Sequence, residues 1–283
     1  PSTGHLLLSA GQEGKCKIWD VYGDRNVRQT YHGHGAAVKS VAFNSAGGSF
    51  LSSGFDRVIR LWDTETGQAV NTFGNNSIGY CVKFNPNDNN EFLVAASDNR
   101  VYGWDARTGS VVQEYNYHLK AVSHVSFYDD GRRFFSSSDD KKILCWEYGV
   151  PVPTKYIADP DMYSIPTCTM HPSQESFAGQ SMDNRVVVYS CKDADKVRLN
   201  KKKSFGGHNV AGYACGLTFS PNGQYLAGGD SVGLLYVWDW KTTQVYRKFQ
   251  AHDHGPCMDC AWHPLQPSWL ATCGWDGVVK LWQ

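Results

Sequence analysis

His34, Ser52 and Asp56 precede Trp62, and the same residue types return twice. They recur as His118, Ser136, Asp140 and Trp146, and again as His252, Thr272, Asp276 and Trp282. A hydroxyl, an imidazole and a carboxylate are the parts of a nucleophilic hydrolase: the imidazole takes the hydroxyl proton and the carboxylate fixes its tautomer. A hydrolase acting through Ser52 or Ser136 is therefore one reading, and labelling by a serine-reactive probe would support it. But a nucleophile is needed once, and this set appears three times. The repetition favours a structural hydrogen-bond network from an inter-strand turn to the Trp indole N–H. No residue is assigned as catalytic, and the chain is read as not an enzyme.

Two other clusters carry potential chemistry. Cys257-Met-Asp-Cys260 followed by His263 resembles a metal or redox motif, yet no second Cys pair with ligand spacing accompanies it. A buried strand of small alternating residues explains it better, and no metal is assigned. No glycine-rich phosphate loop or metalloprotease His-Glu motif occurs, so neither a cofactor nor a small-molecule substrate is expected. The stretch RLNKKKSFGGHNVAGYAC, from Arg198 to Cys215, sets Lys201, Lys202 and Lys203 side by side. They read either as a solvated outer strand whose charge guards an edge or as a contact for phosphates or an acidic partner. Tyr213 reads either as a partner anchor or as a propped loop residue. Arg247 and Lys248 are secondary candidates.

The elements that must position these residues follow from a repeat. Trp19, Trp62, Trp104, Trp146, Tyr189, Trp238 and Trp282 are spaced by 43, 42, 42, 43, 49 and 44 residues. Four are followed by Asp, and each ends a β-like run. That beat identifies an all-β, seven-bladed WD40-repeat β-propeller with four strands per blade. Six residues before each aromatic stand Glu13, Asp56, Asp98, Asp140, Asp183, Val232 and Asp276. Ten before stand Ser9, Ser52, Val94, Ser136, Gly179, Gly228 and Thr272. Gly228 and Val232 remove two network members from the sixth blade, putting its rigidity in doubt; Asn75 and Asp161 stand near two expected His positions. The longest gap surrounds the lysine run, and His208 to Phe219 is longer than the matching intervals elsewhere. An insertion is expected there, on the rim that carries the turn carboxylates.

Residues 1–283 read as a single propeller domain, the C-terminal part of a longer protein. The chain supplies two strands fewer than seven full blades need. Sequence upstream of residue 1 is expected to provide the ring-closing strands, a partner strand being the alternative.

Composition narrows the function classes. Lys plus Arg and Asp plus Glu are 27 each, so any nucleic-acid contact must come from a local patch. No run approaches a membrane span and no start resembles a signal peptide. Nine scattered cysteines suit free thiols of a cytosolic or nuclear protein better than a disulfide framework.

Blade-specific strings go further than the beat. Arg198–Cys215, Trp238–Phe249, Cys273–Gly277 with Lys280-Leu-Trp282, His5–Ser9, Leu61–Gly67, Tyr80–Pro86 and Gln180–Asn184 together resemble the WD-repeat family of second-step pre-mRNA splicing factors. The resemblance spans nearly the whole chain. It implies a nuclear, non-enzymatic scaffold in the catalytic spliceosome that supports exon ligation. Its partners would be spliceosomal core proteins, with snRNA or pre-mRNA phosphate contacts and no membrane. The competing reading is a generic WD40 adaptor, such as a ubiquitin-ligase substrate receptor or a signalling scaffold, because fold alone does not decide function.

Overall fold

The structure, a computed structural model, describes residues 3–74, 76–193 and 195–283. Its strands form seven antiparallel meanders, each strand pairing with the next in sequence. The first sheet is β1 (Leu6–Ala10), β2 (Cys16–Asp20) and β3 (Val27–Tyr31). The second is β4 (Val38–Phe43), β5 (Ser49–Gly54), β6 (Val58–Asp63) and β7 (Ala69–Gly74). The third is β8 (Gly79–Phe84), β9 (Glu91–Ala96), β10 (Val101–Asp105) and β11 (Ser110–Tyr115). The fourth is β12 (Val122–Tyr128), β13 (Arg133–Ser138), β14 (Ile143–Glu147) and β15 (Pro153–Ile157). The fifth is β16 (Thr167–Met170), β17 (Ser176–Ser181), β18 (Arg185–Ser190) and β19 (Arg198–Phe205). The sixth is β20 (Leu217–Phe219), β21 (Tyr225–Gly229), β22 (Leu234–Asp239) and β23 (Val245–Gln250). The seventh is β24 (Cys257–Trp262), β25 (Leu270–Gly274) and β26 (Val279–Trp282). These are the blade units of the seven-bladed WD40 β-propeller class. The first and last sheets have three strands among the described residues, so the strand total is two short of seven fours.

Residues 1–154 and 155–283 form two compact units. In the first, β4 packs on β8 and β8 on β12; in the second, β16 packs on β20 and β20 on β24. The core of each unit lies between successive sheets, and the repeating aromatic explains why. Trp62 stacks on Phe50 with ring centroids 6.2 Å apart, Trp104 on Phe92 at 6.3 Å and Trp146 on Phe134 at 6.0 Å. The last strand of the preceding sheet sets a third ring against each pair: Tyr31 at 4.8 Å from Phe50, Phe73 at 5.2 Å from Phe92 and Tyr115 at 4.8 Å from Phe134. Such pairs add about 0.5–1.5 kcal/mol each beyond the area they bury. The aromatic spacing is therefore the spacing of inter-sheet contacts.

The turns that carry the network carboxylates share one backbone feature. The residue after each turn position is left-handed: Gly14, Arg57, Asn99, Lys141, Asn184, Gly233 and Gly277 all have φ between 61° and 85°. At Gly233 a β-carbon would stand 2.0 Å from the carbonyl oxygen of His252, so close approach as well as φ demands glycine. Arg57 and Lys141 hold the same conformation at the cost an L-residue incurs there.

Candidate functional site

The three Ser/His/Asp sets assemble in the second, fourth and seventh sheets. In the second, His34 Nδ1 lies 2.8 Å from Asp56 Oδ2 and Nε2 lies 2.6 Å from Ser52 Oγ. The Trp62 indole N–H donates to that same Ser52 oxygen at 2.7 Å. In the fourth, His118 reaches Asp140 at 3.0 Å and Ser136 at 2.8 Å, and Trp146 donates to Ser136 at 2.8 Å. In the seventh, His252 reaches Asp276 at 2.8 Å and Thr272 at 3.0 Å, and Trp282 donates to Thr272 at 2.9 Å. With Nδ1–H given to the carboxylate, the hydroxyl donates to Nε2 and accepts from the indole. Each carboxylate also receives a backbone N–H from the turn: Val58 on Asp56, Lys142 on Asp140 and Val278 on Asp276. The chain therefore ties two strands, their turn and the entering loop into one unit.

Electrostatics and burial set its character. Burial pushes Asp140 up, but hydrogen bonds from His118 and the Leu119 and Lys142 N–H groups outweigh it and hold the carboxyl below its ordinary value. Asp56 follows the same balance, with Arg60 Nη1 at 3.0 Å as an added donor that sequence reasoning missed. Burial lowers His34 against the pull of Asp56, favouring the neutral ring. Ser52 and Ser136 are 0% exposed and Thr272 2%, and each oxygen already holds an indole N–H and an imidazole nitrogen. A substrate carbonyl has no approach to these hydroxyls.

The other sheets depart from the pattern in different ways. In the first, Trp19 donates to Ser9 at 2.8 Å, but Glu13 is turned outward to Lys15 and Lys17. In the third, Asp98 receives the Tyr102 hydroxyl at 2.6 Å; Asn75 lies outside the described residues. Asp161 is exposed, and its N–H bonds locally, to Asp159. The sixth sheet is rewired rather than simply depleted. His208 sits 5.0 Å from the Trp238 ring, as a network histidine should, but its Nε2 lies 2.8 Å from Gln180 Oε1 of the fifth sheet. The Trp238 indole donates to the Gly206 carbonyl at 3.0 Å. A β-carbon at Gly228 would fall 2.6 Å from Leu217 Cδ2, so no serine fits the vacated position without displacing Leu217.

The lysine run forms β19, which among the described residues pairs on one side only, with β18. Tyr189 faces Leu199 and Val187 faces Ser204, leaving residues 200–203 opposite Val188 alone. This wide bulge accounts for part of the longest spacing in the repeat. Arg198, Lys201 and Lys202 are exposed. Lys203 differs from its neighbours: its Nζ stands 3.7 Å above the Trp240 ring, and burial lowers its pKa. Trp240 was not legible as a site residue, being out of phase with the repeat. It stacks on Phe205 at 5.5 Å and on His171 at 5.0 Å. On β23, Lys248 and Arg247 are exposed, with the Arg247 guanidinium 5.4 Å from the Phe249 ring.

The inserted loop lies on the turns. The Val210 N–H donates to Asn184 Oδ1 at 2.8 Å, and the Asn209 carbonyl accepts from Ser231 at 2.9 Å. The Tyr213 ring stands edge-on to Trp275 at 5.1 Å, and Trp275 itself is 55% exposed. Between β18 and β19, Ala194 lies outside the described residues. Cys257 and Cys260 are both buried on β24, where a register shift turns them inward, and burial pushes the Cys260 thiol well up. His263 Nδ1 accepts from the Leu265 and Gln266 N–H groups instead. All nine cysteines are free. Among the described residues, no group of three or more His, Cys, Asp or Glu is arranged to hold a metal, and no helix is long and apolar enough to cross a membrane.

Comparison with known proteins agrees with this architecture. The family model described as "WD domain, G-beta repeat" matches residues 25–63, 67–105, 109–147, 199–239 and 243–283. Each match joins the last strand of one sheet to the next three, the same unit that the interlocking aromatics define. Over 284 residues the chain is 49% identical to Pre-mRNA-processing factor 17 of Mus musculus and of Homo sapiens, covering 100% of this chain and 48% of each relative. It is 38% identical over 282 residues to Pre-mRNA-processing factor 17 of Saccharomyces cerevisiae, covering 99% of this chain and 62% of that protein. The chain spans about half the length of the mouse and human relatives.

Proposed function

Because this chain belongs to the WD-domain, G-beta-repeat family, we propose that it is a non-enzymatic scaffold of the splicing machinery. In this reading it acts in the nucleus, within the catalytic spliceosome, and supports the second transesterification, in which exons are joined. One observation carries the reading: the 49% identity to Pre-mRNA-processing factor 17 is taken over the whole chain. The buried hydroxyls of the three Ser/His/Asp sets support it, because none is reachable by a substrate. A scaffold needs several modest surfaces, each gaining from the effective concentration that the assembly provides. The exposed bases of β19 and β23 and the Tyr213–Trp275 rim are such surfaces, for spliceosomal proteins or RNA.

The test is a splicing reaction in extract depleted of this protein. Free 5′ exon and lariat intermediate should accumulate, and adding back the full-length protein should restore joined exons. Normal splicing in the depleted extract overturns the second-step reading and brings the generic adaptor forward.

A further inference from the structure

The outer edges of the fifth and sixth sheets carry charge that is not taken up in ion pairs. Arg198, Lys201, Lys202, Lys241, Arg247 and Lys248 are exposed, and none makes an ion pair among the described residues. Carboxylates nearby on the same two sheets have other partners. Asp193 holds Lys196 at 2.9 Å, Glu175 lies 3.9 Å from Lys192, and Asp239 accepts the N–H and hydroxyl of Thr242. In a chain of zero formal net charge, this is a local concentration of unpaired cations.

The two edges are joined. Lys203 reaches from β19 to cover Trp240, at the turn between β22 and β23. Val245 Cγ2 of β23 lies 3.8 Å from where a β-carbon on Gly207 would stand. Aromatic rings are interleaved with the bases: Tyr246 is 67% exposed and rests against Tyr225 at 4.9 Å, beside Arg247 and Lys248. Cations along a track, with an exposed ring propped from behind, fit a phosphate backbone and an unstacked base.

We propose that these two edges form a binding surface for single-stranded RNA, with the six bases on phosphates and Tyr246 on a base. This deepens the scaffold reading by giving its partner a chemistry. An acidic peptide is the poorer fit. A peptide gains affinity on a sheet edge by adding a strand through main-chain pairing. On β19 the bulge sets residues 200–203 against a single partner and breaks that register. An RNA backbone needs no register with the sheet.

The experiment uses the isolated chain and a short fluorescein-labelled oligouridine, read by fluorescence anisotropy against salt. Six phosphate contacts predict a slope of log K against log salt near −4, from about −0.7 per contact on single strands. R198A/K201A/K202A should flatten the slope by about 2, and the independent variant R247A/K248A by about 1. K201R/K202R should bind as the parent does. The changed side chains are exposed, and an unchanged melting temperature checks that each variant is folded. Absence of binding, slopes unmoved by both alanine variants, or displacement of the RNA by polyglutamate at equal charge concentration would each overturn the proposal. Splicing is not read here, so failure of this surface leaves the depletion experiment to decide the scaffold reading separately.

Discussion

Replacing Asp140 with alanine tests whether the repeated Ser/His/Asp sets are structural. Asp140 Oδ2 accepts from His118 Nδ1–H and the Leu119 N–H, both at 3.0 Å, and Oδ1 accepts from the Lys142 N–H at 3.0 Å. The Asp140 side chain is 4% exposed and that of His118 is 0%. Alanine leaves the imidazole N–H buried without a partner, which costs about 1–3 kcal/mol. The two backbone donors lose a charged acceptor, but Leu119 is 71% exposed and its N–H can turn to water, so they add about 1 kcal/mol together. The sum is about 3 kcal/mol. At about 2–4 °C per kcal/mol for a chain of this size, the melting temperature should fall by about 10 °C. D140N keeps one acceptor oxygen and should lose about half as much. A double-mutant cycle with S136A adds a sharper reading. Both residues belong to one chain of bonds through His118, so their costs should fall short of additivity by about 1 kcal/mol or more. The measurement is thermal unfolding followed by intrinsic fluorescence. A loss under about 2 °C for D140A, or strictly additive costs, would refute the network as a stabilising unit.

Acid should expose the same carboxylates. The folded pKa values of Asp56, Asp140 and Asp276 lie below the ordinary 3.8, so their contribution is complete above that value and is lost as pH falls through the lower folded values. Melting followed from pH ~5 to ~2 should show a steep acid limb in the parent and a shallower one in D140A. G228S restores the repeat pattern but should destabilise by about 1–3 kcal/mol, because its β-carbon meets Leu217 Cδ2 at 2.6 Å; a gain in melting temperature would contradict the overpacking argument. R57G should raise stability by about 0.5–1 kcal/mol, since Arg57 holds φ of 61° in an exposed turn; no gain would mean that the arginine side chain offsets its backbone strain. K203A should lower the melting temperature while changing RNA affinity less than K201A/K202A does, because its ammonium is engaged over Trp240; the reverse order would return Lys203 to the exposed track.

The parts of this molecule legible in the sequence are those that one sheet satisfies by itself or repeats from sheet to sheet. The aromatic spacing could be read because Trp62, Trp104 and Trp146 each stack on a Phe of their own sheet, against which the previous sheet sets a further ring. The hydrogen-bonded sets could be read because histidine, hydroxyl and carboxylate keep nearly fixed offsets from the Trp. Where a group is satisfied from a neighbouring sheet, the repeat frame points to the wrong residue. Gln180 serves His208 from the fifth sheet while the sixth lacks its hydroxyl, and nothing at Gly228 announces the substitution. The left-handed turn position leaves no signature in the sequence because only three of its seven occupants are glycine. The bulge in β19 escaped because consecutive lysines carry no period from which pairing could be inferred.

The departures of the sixth sheet from the repeat fall beside the unpaired bases. In the second, fourth and seventh sheets, the hydrogen-bonded chain from turn to indole fixes the strands from within. The sixth has no such chain. It is held by Gln180 reaching across, by the Trp238 bond to Gly206 and by the rings of His171, Phe205, Phe219 and Trp240, with Lys203 laid over the last. Apart from the Phe219–Trp240 pair, which lies within the sixth sheet, these contacts connect the fifth and sixth sheets, so ties between neighbours stand where the internal tie is lost. That exchange has a consequence for recognition. Exposed bases on two independently moving edges would have to be ordered by the ligand, an entropic cost charged against binding. Edges joined through Lys203 and Trp240 would leave less of that ordering to the ligand.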